Sequence, residues 1–179
     1  LHTLLDALAM GQNGILSYKL DVVGSLTIDP IYANAAQKKA ASLSSQASPE
    51  QSRRVTFHSS LDNEPLIAKL QQAHILVVPS SYEGFGIVYL EGMGFGLPSI
   101  GTAAGAAGEI IEDGATGYLI EPGDSATLAS RLAGLWADRG LLTRLSLDAR
   151  SRFLRQPKWE QTAGQIREFL QKQIRAFSV

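Results

Sequence analysis

Short apolar runs alternate with helical patterns five times before residue 121, and this alternation restricts the fold more than any other feature of the chain. Buried parallel strands form continuous apolar runs, because helices cover both of their faces. The alternation therefore predicts a doubly wound α/β fold, with a parallel sheet between two helical layers in a three-layer α/β/α arrangement. The predicted strands are 20–24, 55–58, 75–78, 97–101 and 118–120, each apolar on both faces.

Helix signals occupy the segments between and after these strands. Leucines at positions 1, 4, 5 and 8 form one helical stripe, which Gly11 and the Asn13-Gly14 pair end. Because no strand pattern follows residue 121, the last third of the chain is predicted to be an all-helical tail. The remaining predicted helices are Pro30 to about Ser48, a helix capped by Asp62 through Gln72, Gly86 to Gly96, a helix capped by Asp124 or Ser125 to about Ala137, and two more that are split at Pro157.

Composition excludes several classes of protein. Hydrophobic residues make up 45% and charged residues 18% of the 179 residues, which is typical of one well-filled domain. The net charge of −1 argues against a nucleic-acid partner, and the absence of cysteine excludes disulfides and thiolate metal sites. The longest uncharged stretch, 92–108, contains six glycines and a proline, so we expect no transmembrane segment.

Ligands of open α/β sheets bind beyond the carboxyl ends of the strands, so the loops that follow the strands are the places to search. The segment 79–86 is the most informative of these loops. Gly84 and Gly86 allow a close approach of the backbone, and the next helix would offer free N–H groups to a phosphate. Glu91, further along that helix, could accept hydrogen bonds from a vicinal diol, and Glu83 could stabilise positive charge at an anomeric carbon.

A purely structural interpretation of the same residues stays open. A Gly-x-Gly pair at a helix start often serves tight packing, and Glu91 could be an ordinary solvated helix residue. Gly92, Gly94 and Gly96 each cost roughly 1 kcal/mol of helix stability relative to alanine. Close packing is the favoured explanation for most of them.

Several motifs together resemble the group 1 retaining glycosyltransferases, which have GT-B architecture with two facing Rossmann-like domains. The family's hallmark is a Glu, seven residues and a second Glu, followed by Ala-Met-Ala-x-Gly-x-Pro. Here Glu83 and Glu91 form the pair, although Gly92 and Gly94 replace the alanines. The matching segments are Pro79-Ser80, 83–86, 91–94, 96–98, 105–109, 113–119 and 122–124.

The resemblance implies a nucleotide-sugar-binding role for these loops. Glu91 would hold the ribose diol, and Glu83 would face the donor sugar as the catalytic residue. Metal ions and cofactors are not expected, because basic residues and helix N-termini neutralise the leaving diphosphate in this family. The other expected donor-binding residues are Gly84, Phe85, Gly86, Ile87, Gly24, His58 and Ser59, while Gly105 and Glu109 would line the cleft.

The family's domain opens with a strand that precedes the first helix. The sequence starts at Leu1, where that helix begins, so it does not contain this strand. The usual strand order 3-2-1-4-5-6 places it at the centre of the sheet. Residues 1–179 are therefore expected to form a single Rossmann-like domain that lacks its first strand and the N-terminal acceptor domain. Either residues before Leu1 exist in the natural protein, or another chain supplies the strand, and the fragment alone should be inactive.

Three other functions share some of these sequence features. A non-catalytic or split binding module, which pairs with another chain to complete the site, is the main alternative. A dinucleotide-binding domain fits poorly, since Val23-Gly24-Ser25-Leu26 is not a Gly-x-Gly-x-x-Gly motif, and Glu83 and Glu91 should not flank one bond as in a glycosidase. The expected location is cytoplasmic, with peripheral association at the inner face of a membrane as an open option, and the acceptor is unknown.

Overall fold

A computed structural model describes residues 1–10, 17–45 and 52–177. Within them the chain alternates strands with helices and ends in three consecutive helices, as the sequence predicts. The elements are α1 (His2–Met10), β1 (Tyr18–Val23), α2 (Pro30–Ser45), β2 (Arg53–His58), α3 (Asn63–Gln72), β3 (Leu76–Val78), α4 (Ile87–Gly94), β4 (Ser99–Thr102), α5 (Ala107–Ile110), β5 (Gly117–Ile120), α6 (Ser125–Ala137), α7 (Arg139–Leu154) and α8 (Trp159–Phe177).

The helix starts follow the sequence signals with one exception, at the cap of α3. Asp124 caps α6, where its carboxylate accepts a hydrogen bond from the Thr127 N–H at 2.9 Å. Asp62 occupies the cap position of α3, but its side chain makes no capping hydrogen bond. The short helix α5 was not predicted. The Asn13-Gly14 stop signal and the predicted end of α2 at Ser48 lie outside the described residues.

All the paired strands are parallel, but they form two sheets rather than one. β1 pairs with β2, from Tyr18 opposite Arg53 to Val23 opposite His58. The second sheet has the order β3-β4-β5. Within the described ranges no backbone hydrogen bond joins the two sheets.

Helices cover both faces of the three-stranded sheet, which confirms the three-layer arrangement. Successive side chains of a strand point to opposite faces, and here they enter two separate apolar clusters. The first cluster contains Val77, Ile100, Tyr118 and Ile120 and is closed by α1, α2 and α6. The second contains Leu76, Val78 and Leu119 and is closed by α4, α5 and α7.

The two-stranded sheet differs from the prediction that every strand is apolar on both faces. One face carries Leu20, Val55 and Phe57, which pack against the first cluster and so connect the two sheets through shared core. The opposite face carries Asp21 and His58, which are hydrogen-bonded to each other. The prediction was wrong here because two half-buried polar side chains can satisfy each other's hydrogen bonds across neighbouring strands.

The closely spaced glycines of α4 have packing roles, as the sequence suggested. A Cβ atom on Gly92 would lie 2.7 Å from Leu76 Cδ2, and one on Gly94 would lie 3.3 Å from Phe153 Cε2. Gly96 follows the helix with a φ of +76°. The helix therefore lies close against β3 and α7, and this contact offsets the low helix propensity of glycine.

The last helix, α8, exposes an apolar stripe. Its exposed apolar side chains recur at helical spacing and make a continuous row: Trp159, Ile166, Leu170 and Ile174. Among the described residues, no helix combines the length and the apolar character that crossing a membrane requires.

Candidate functional site

Two loops at the carboxyl ends of β3 and β4 are joined through their backbones. The Glu83 N–H donates to Ala104 O at 3.2 Å, and the Ala106 N–H donates to Glu83 O at 2.8 Å. Between them, Gly105 pairs with Glu83 in a short parallel bridge and has a φ of +87°. A Cβ atom on Gly105 would lie 2.1 Å from Glu83 O, so only glycine allows this approach.

The Glu83 side chain also fixes the start of α4. Its Oε1 accepts a hydrogen bond from the Gly86 N–H at 3.0 Å, and Gly86 is the N-cap residue with a φ of +78°. Its second carboxylate oxygen has no hydrogen-bond partner among the residues described. One half of the carboxylate therefore holds the loop, and the other half is free to meet a ligand.

A buried tyrosine in α4 packs beneath this loop in the core. Tyr89 is completely buried, and its hydroxyl donates to Val78 O at 3.2 Å. Burial, with a smaller contribution from the charge of Glu83, raises the pKa of Tyr89 to about 12. The ring occupies space that side chains on two glycines would need: a Cβ on Gly86 would lie 2.8 Å from Tyr89 Cδ2, and one on Gly101 would lie 2.7 Å from its hydroxyl.

The outer surface of the same region is open to solvent. Phe85 and Ile87 are mostly exposed, as is Gly84 beside them. Glu91 lies one helical turn after Ile87 on the exposed face of α4, opposite the buried Met93. The loop and the first two turns of α4 thus expose an aromatic ring and a carboxylate, and the first N–H groups of the helix have no partner within it.

A second group of the expected site residues lies at the carboxyl edge of the two-stranded sheet. Gly24 directly follows β1, and His58 ends β2. Ser59 is exposed. The His58 Nε2 lies 2.7 Å from Asp21 Oδ1. No hydrogen bond or ion pair among the described residues joins this group to the Glu83 loop.

Asp21 is the electrostatic centre of this second group. Its Oδ1 also accepts from Lys69 Nζ at 2.9 Å, and its Oδ2 lies 3.3 Å from Lys19 Nζ. Burial opposes ionisation, but the hydrogen bonds from His58, Lys69 and Lys19 outweigh it and lower the pKa of Asp21 to about 2. The carboxylate is therefore ionised at all ordinary pH values.

The expected cleft-lining residues lie beside the Glu83 loop. Gly105 forms the bridge described above, and the exposed Glu109 is in α5. Its carbonyl oxygen accepts a long hydrogen bond of 3.4 Å from Arg152 of α7. Within the described ranges, no three His, Asp or Glu side chains are grouped closely enough to hold a metal ion.

Sequence reasoning missed two supporting residues, Tyr89 and Asp21. A signal existed for Asp21, because a carboxylate inside the short strand Leu20-Asp21-Val22-Val23 requires a partner if the strand is half buried. No comparable signal marked Tyr89, since a tyrosine on an apolar helix face is ordinarily a core residue.

Comparison with known proteins shows which protein family this sequence matches. The family model described as "Glycosyl transferases group 1" matches residues 1–152. The putative glycosyltransferase EpsD of Bacillus subtilis is 32% identical over 152 residues, which is 85% of this chain and 37% of that protein. The glycogen synthase of Mycobacterium tuberculosis is 34% identical over 111 residues, which is 62% of this chain and 27% of that protein.

Solved structures show the same relation. HepE from Anabaena, crystallised in complex with UDP, matches 96% of this chain with a TM-score of 0.79 and 25% identity. Sucrose-phosphate synthase from Thermosynechococcus elongatus matches 97% with a TM-score of 0.73 and 28% identity. The chain covers 44% and 43% of these two structures, so it spans less than half the length of each.

Proposed function

The chain belongs to the group 1 glycosyl transferases, and on that premise we propose that it is the donor-binding half of a retaining glycosyltransferase. The enzyme would move a sugar from a nucleotide diphosphate sugar to an acceptor hydroxyl. The observation that carries the proposal is the construction of the Glu83 loop. A carboxylate at the carboxyl edge of the sheet is locked to the N-terminus of α4, with Glu91 exposed one to two turns further along the helix.

The proposed roles follow from the exposed groups. Glu91 would accept hydrogen bonds from the ribose diol, since an ionised carboxylate offers two acceptor oxygens. The first N–H groups of a helix have no partner within the helix, so those of Ile87 and Val88 suit the negatively charged diphosphate. The free oxygen of Glu83 would stabilise positive charge that develops at the anomeric carbon as the diphosphate leaves.

Catalysis in such a site would consist mainly of positioning and charge stabilisation. The donor is already activated by its diphosphate leaving group, so no resident cofactor or metal ion is required by the proposal. The loop is fixed by backbone hydrogen bonds before any ligand arrives, and such preorganisation contributes to rate because it need not be created during the reaction. We place the activity in the cytoplasm, with association at the inner face of a membrane as the alternative.

The split sheet supports the proposal that the complete domain contains one more strand. The two sheets share one apolar cluster yet exchange no backbone hydrogen bonds within the described residues. An additional parallel strand between β1 and β3 would give the order β2-β1-x-β3-β4-β5, with x the added strand, and would pair both edges. Unpaired backbone groups cost roughly 1–3 kcal/mol each when they are buried, so a strand that pairs both edges would stabilise the complete domain.

The source of that strand decides between the two forms of the proposal. In the main form it precedes Leu1 in the natural protein, together with a domain that binds the acceptor. In the alternative form another chain supplies it, and the protein is a split or non-catalytic binding module. In both forms the 179 residues alone would not transfer sugar.

The test uses the full natural protein and isothermal titration calorimetry with UDP, GDP, ADP and their sugar conjugates. We expect one nucleotide series to bind, and Glu91→Ala to weaken it by about 10- to 100-fold, as the loss of charge-assisted hydrogen bonds requires. Glu160→Ala, which removes an exposed carboxylate from α8, is the matched control and should change affinity less than about twofold. Absence of binding by every nucleotide and nucleotide sugar would refute the proposal, and binding that Glu91→Ala leaves unchanged would refute the role of Glu91.

A further inference from the structure

The Asp21 cluster joins three elements at one point of the two-stranded sheet. Asp21 lies in the middle of β1, His58 ends β2, and Lys69 reaches the same carboxylate from α3. The side chains of Asp21, His58 and Lys69 are 20–28% exposed, so the cluster is largely shielded but keeps some contact with solvent.

The strand register explains how the histidine comes to face the aspartate. Asp21 pairs with Thr56, and Val23 pairs with His58. Side chains two residues apart in a strand share a face, so His58 and Asp21 lie on one face, diagonally across the two strands. Leu20 and Phe57 alternate with them and enter the core on the other face. The pair is therefore built by the register and does not depend on a mobile loop.

The hydrogen bond determines which ring nitrogen of His58 carries hydrogen. Asp21 Oδ1 belongs to a carboxylate that accepts from Lys69 as well, and an ionised carboxylate has no hydrogen to donate. The low pKa of Asp21 keeps it in that form. In the neutral ring, His58 Nε2 must therefore be the donor, which leaves Nδ1 as an acceptor. No residue described in the structure is hydrogen-bonded to that Nδ1.

We propose that Asp21 is a positioning residue that holds His58 as the Nε2–H tautomer, so that Nδ1 accepts a hydrogen bond from an N–H group of the donor's nucleobase. The inference rests on the proposed function, and it deepens that function by assigning the chemical property that the base must present. Uracil, guanine and adenine each carry an N–H donor on their pairing edge.

The location of the ring supports this assignment. His58 is at the carboxyl end of a parallel strand, where ligands of such sheets bind. A concavity of about 500 Å³ lies after β2 in the sequence, at the start of α3, and is lined by residues 61–65. Its first lining residue, Leu61, is three residues after His58, so the Cα atoms of the two lie within roughly 11 Å. The depression therefore lies within one short loop of His58 along the chain.

The test is a double-mutant cycle in the full natural protein, read by the dissociation constant of the nucleoside diphosphate that binds best among UDP, GDP and ADP at pH 8. We expect Asp21→Asn and His58→Gln each to weaken binding about 5- to 10-fold, the size of one hydrogen bond. The double variant should bind within about twofold of His58→Gln, because Asp21 acts through the ring. Asp6→Asn is the matched control: it removes another carboxylate that pairs with a lysine, Lys39, on a different face, and should change affinity less than twofold.

A second measurement separates a positioning role from a structural one. Long-range proton–nitrogen NMR spectra of the imidazole rings show which nitrogen bears hydrogen, and His58→Gln identifies its signals among the three histidines. We expect the Nε2–H form in the wild type and a mixture in Asp21→Asn. Lys69→Met keeps the Asp21–His58 contact and should leave both the tautomer and the affinity within twofold of wild type.

Three outcomes would overturn the inference. They are additive losses of affinity in the cycle, an Nδ1–H ring in the wild type, and a loss from Lys69→Met as large as that from Asp21→Asn. If Asp21→Asn fails to fold, the wild-type tautomer and the His58→Gln affinity still decide the matter. Failure of the wild type to bind any of the three nucleotides would instead refute the proposed function, so the two failures are distinguishable.

Discussion

Gly105 is the position where one added methyl group tests the construction of the site most directly. Its backbone has a φ of +87°, and an added Cβ would lie 2.1 Å from Glu83 O. Gly123 has a similar φ of +81° but no heavy atom within 4 Å of the same added group. Gly105→Ala therefore combines backbone strain with a collision, while Gly123→Ala introduces the strain alone.

The expected magnitudes follow from these two contributions. Placing alanine in the left-handed region costs roughly 1–2 kcal/mol, and this is the whole cost expected for Gly123→Ala. Relief of the collision at Gly105 requires the two loops to separate by about 1 Å, which breaks the two hydrogen bonds between Glu83 and its neighbours at roughly 1 kcal/mol each. The total for Gly105→Ala is then about 3–4 kcal/mol.

Denaturation by urea measures the free energy of unfolding. Steady-state kinetics of the proposed sugar transfer, in the full natural protein, measures the effect on the site. A displacement of Glu83 by about 1 Å should lower kcat by about 100-fold in Gly105→Ala, while Gly123→Ala should stay within about twofold of wild type. Equal losses of stability in the two variants, with wild-type kcat in both, would show that the Glu83–Gly105 contact does not organise the site.

Tyr89 and Asp21 each stabilise the structure around one group of candidate site residues. Tyr89→Phe should cost roughly 1 kcal/mol of unfolding free energy, because it removes the hydrogen bond to Val78 O and leaves that acceptor buried; an unchanged urea midpoint would contradict the role of the hydroxyl. The folded-state pKa of Asp21 lies below its usual value of 3.8, so its stabilising contribution is present above about pH 4 and is lost as the pH falls towards about 2. Asp21→Asn should therefore destabilise the protein by roughly 1–2 kcal/mol at pH 7, after allowance for its partial exposure, and by almost nothing at pH 2. A difference that stays constant across that range would refute the ion-pair explanation.

The sequence predicts the elements well because their signals are local. The leucine stripe of α1, the proline that opens α2 and the aspartate that caps α6 each act within one or two helical turns. The same holds for β3 and β5, where short apolar runs are bounded by turn residues. Element type and order therefore required no knowledge of tertiary contacts.

What the sequence could not supply is the set of contacts between distant residues. Asp21 and His58 are 37 positions apart, and their contact depends on the exact register of two strands. Gly105 and Glu83 form a bridge that depends on the relative height of two loops. A shift of one residue in either pairing would place the side chains on opposite faces, and no local signal fixes it.

The two groups of candidate site residues depend on different parts of the fold, and this difference bears on the proposed function. The Glu83 loop belongs to the three-stranded sheet, which is covered by helices on both faces and is held by Tyr89 from within. His58 belongs to the two-stranded sheet, which is joined to the other by side-chain packing alone within the described residues. Sugar and diphosphate contacts would then be made by loops of the three-stranded sheet. Base contacts would be made by the two-stranded sheet, which an added strand would align with it. Pairing of such a strand between β1 and β3 would fix the distance between His58 and Glu83, and with it the length of donor that the cleft accepts.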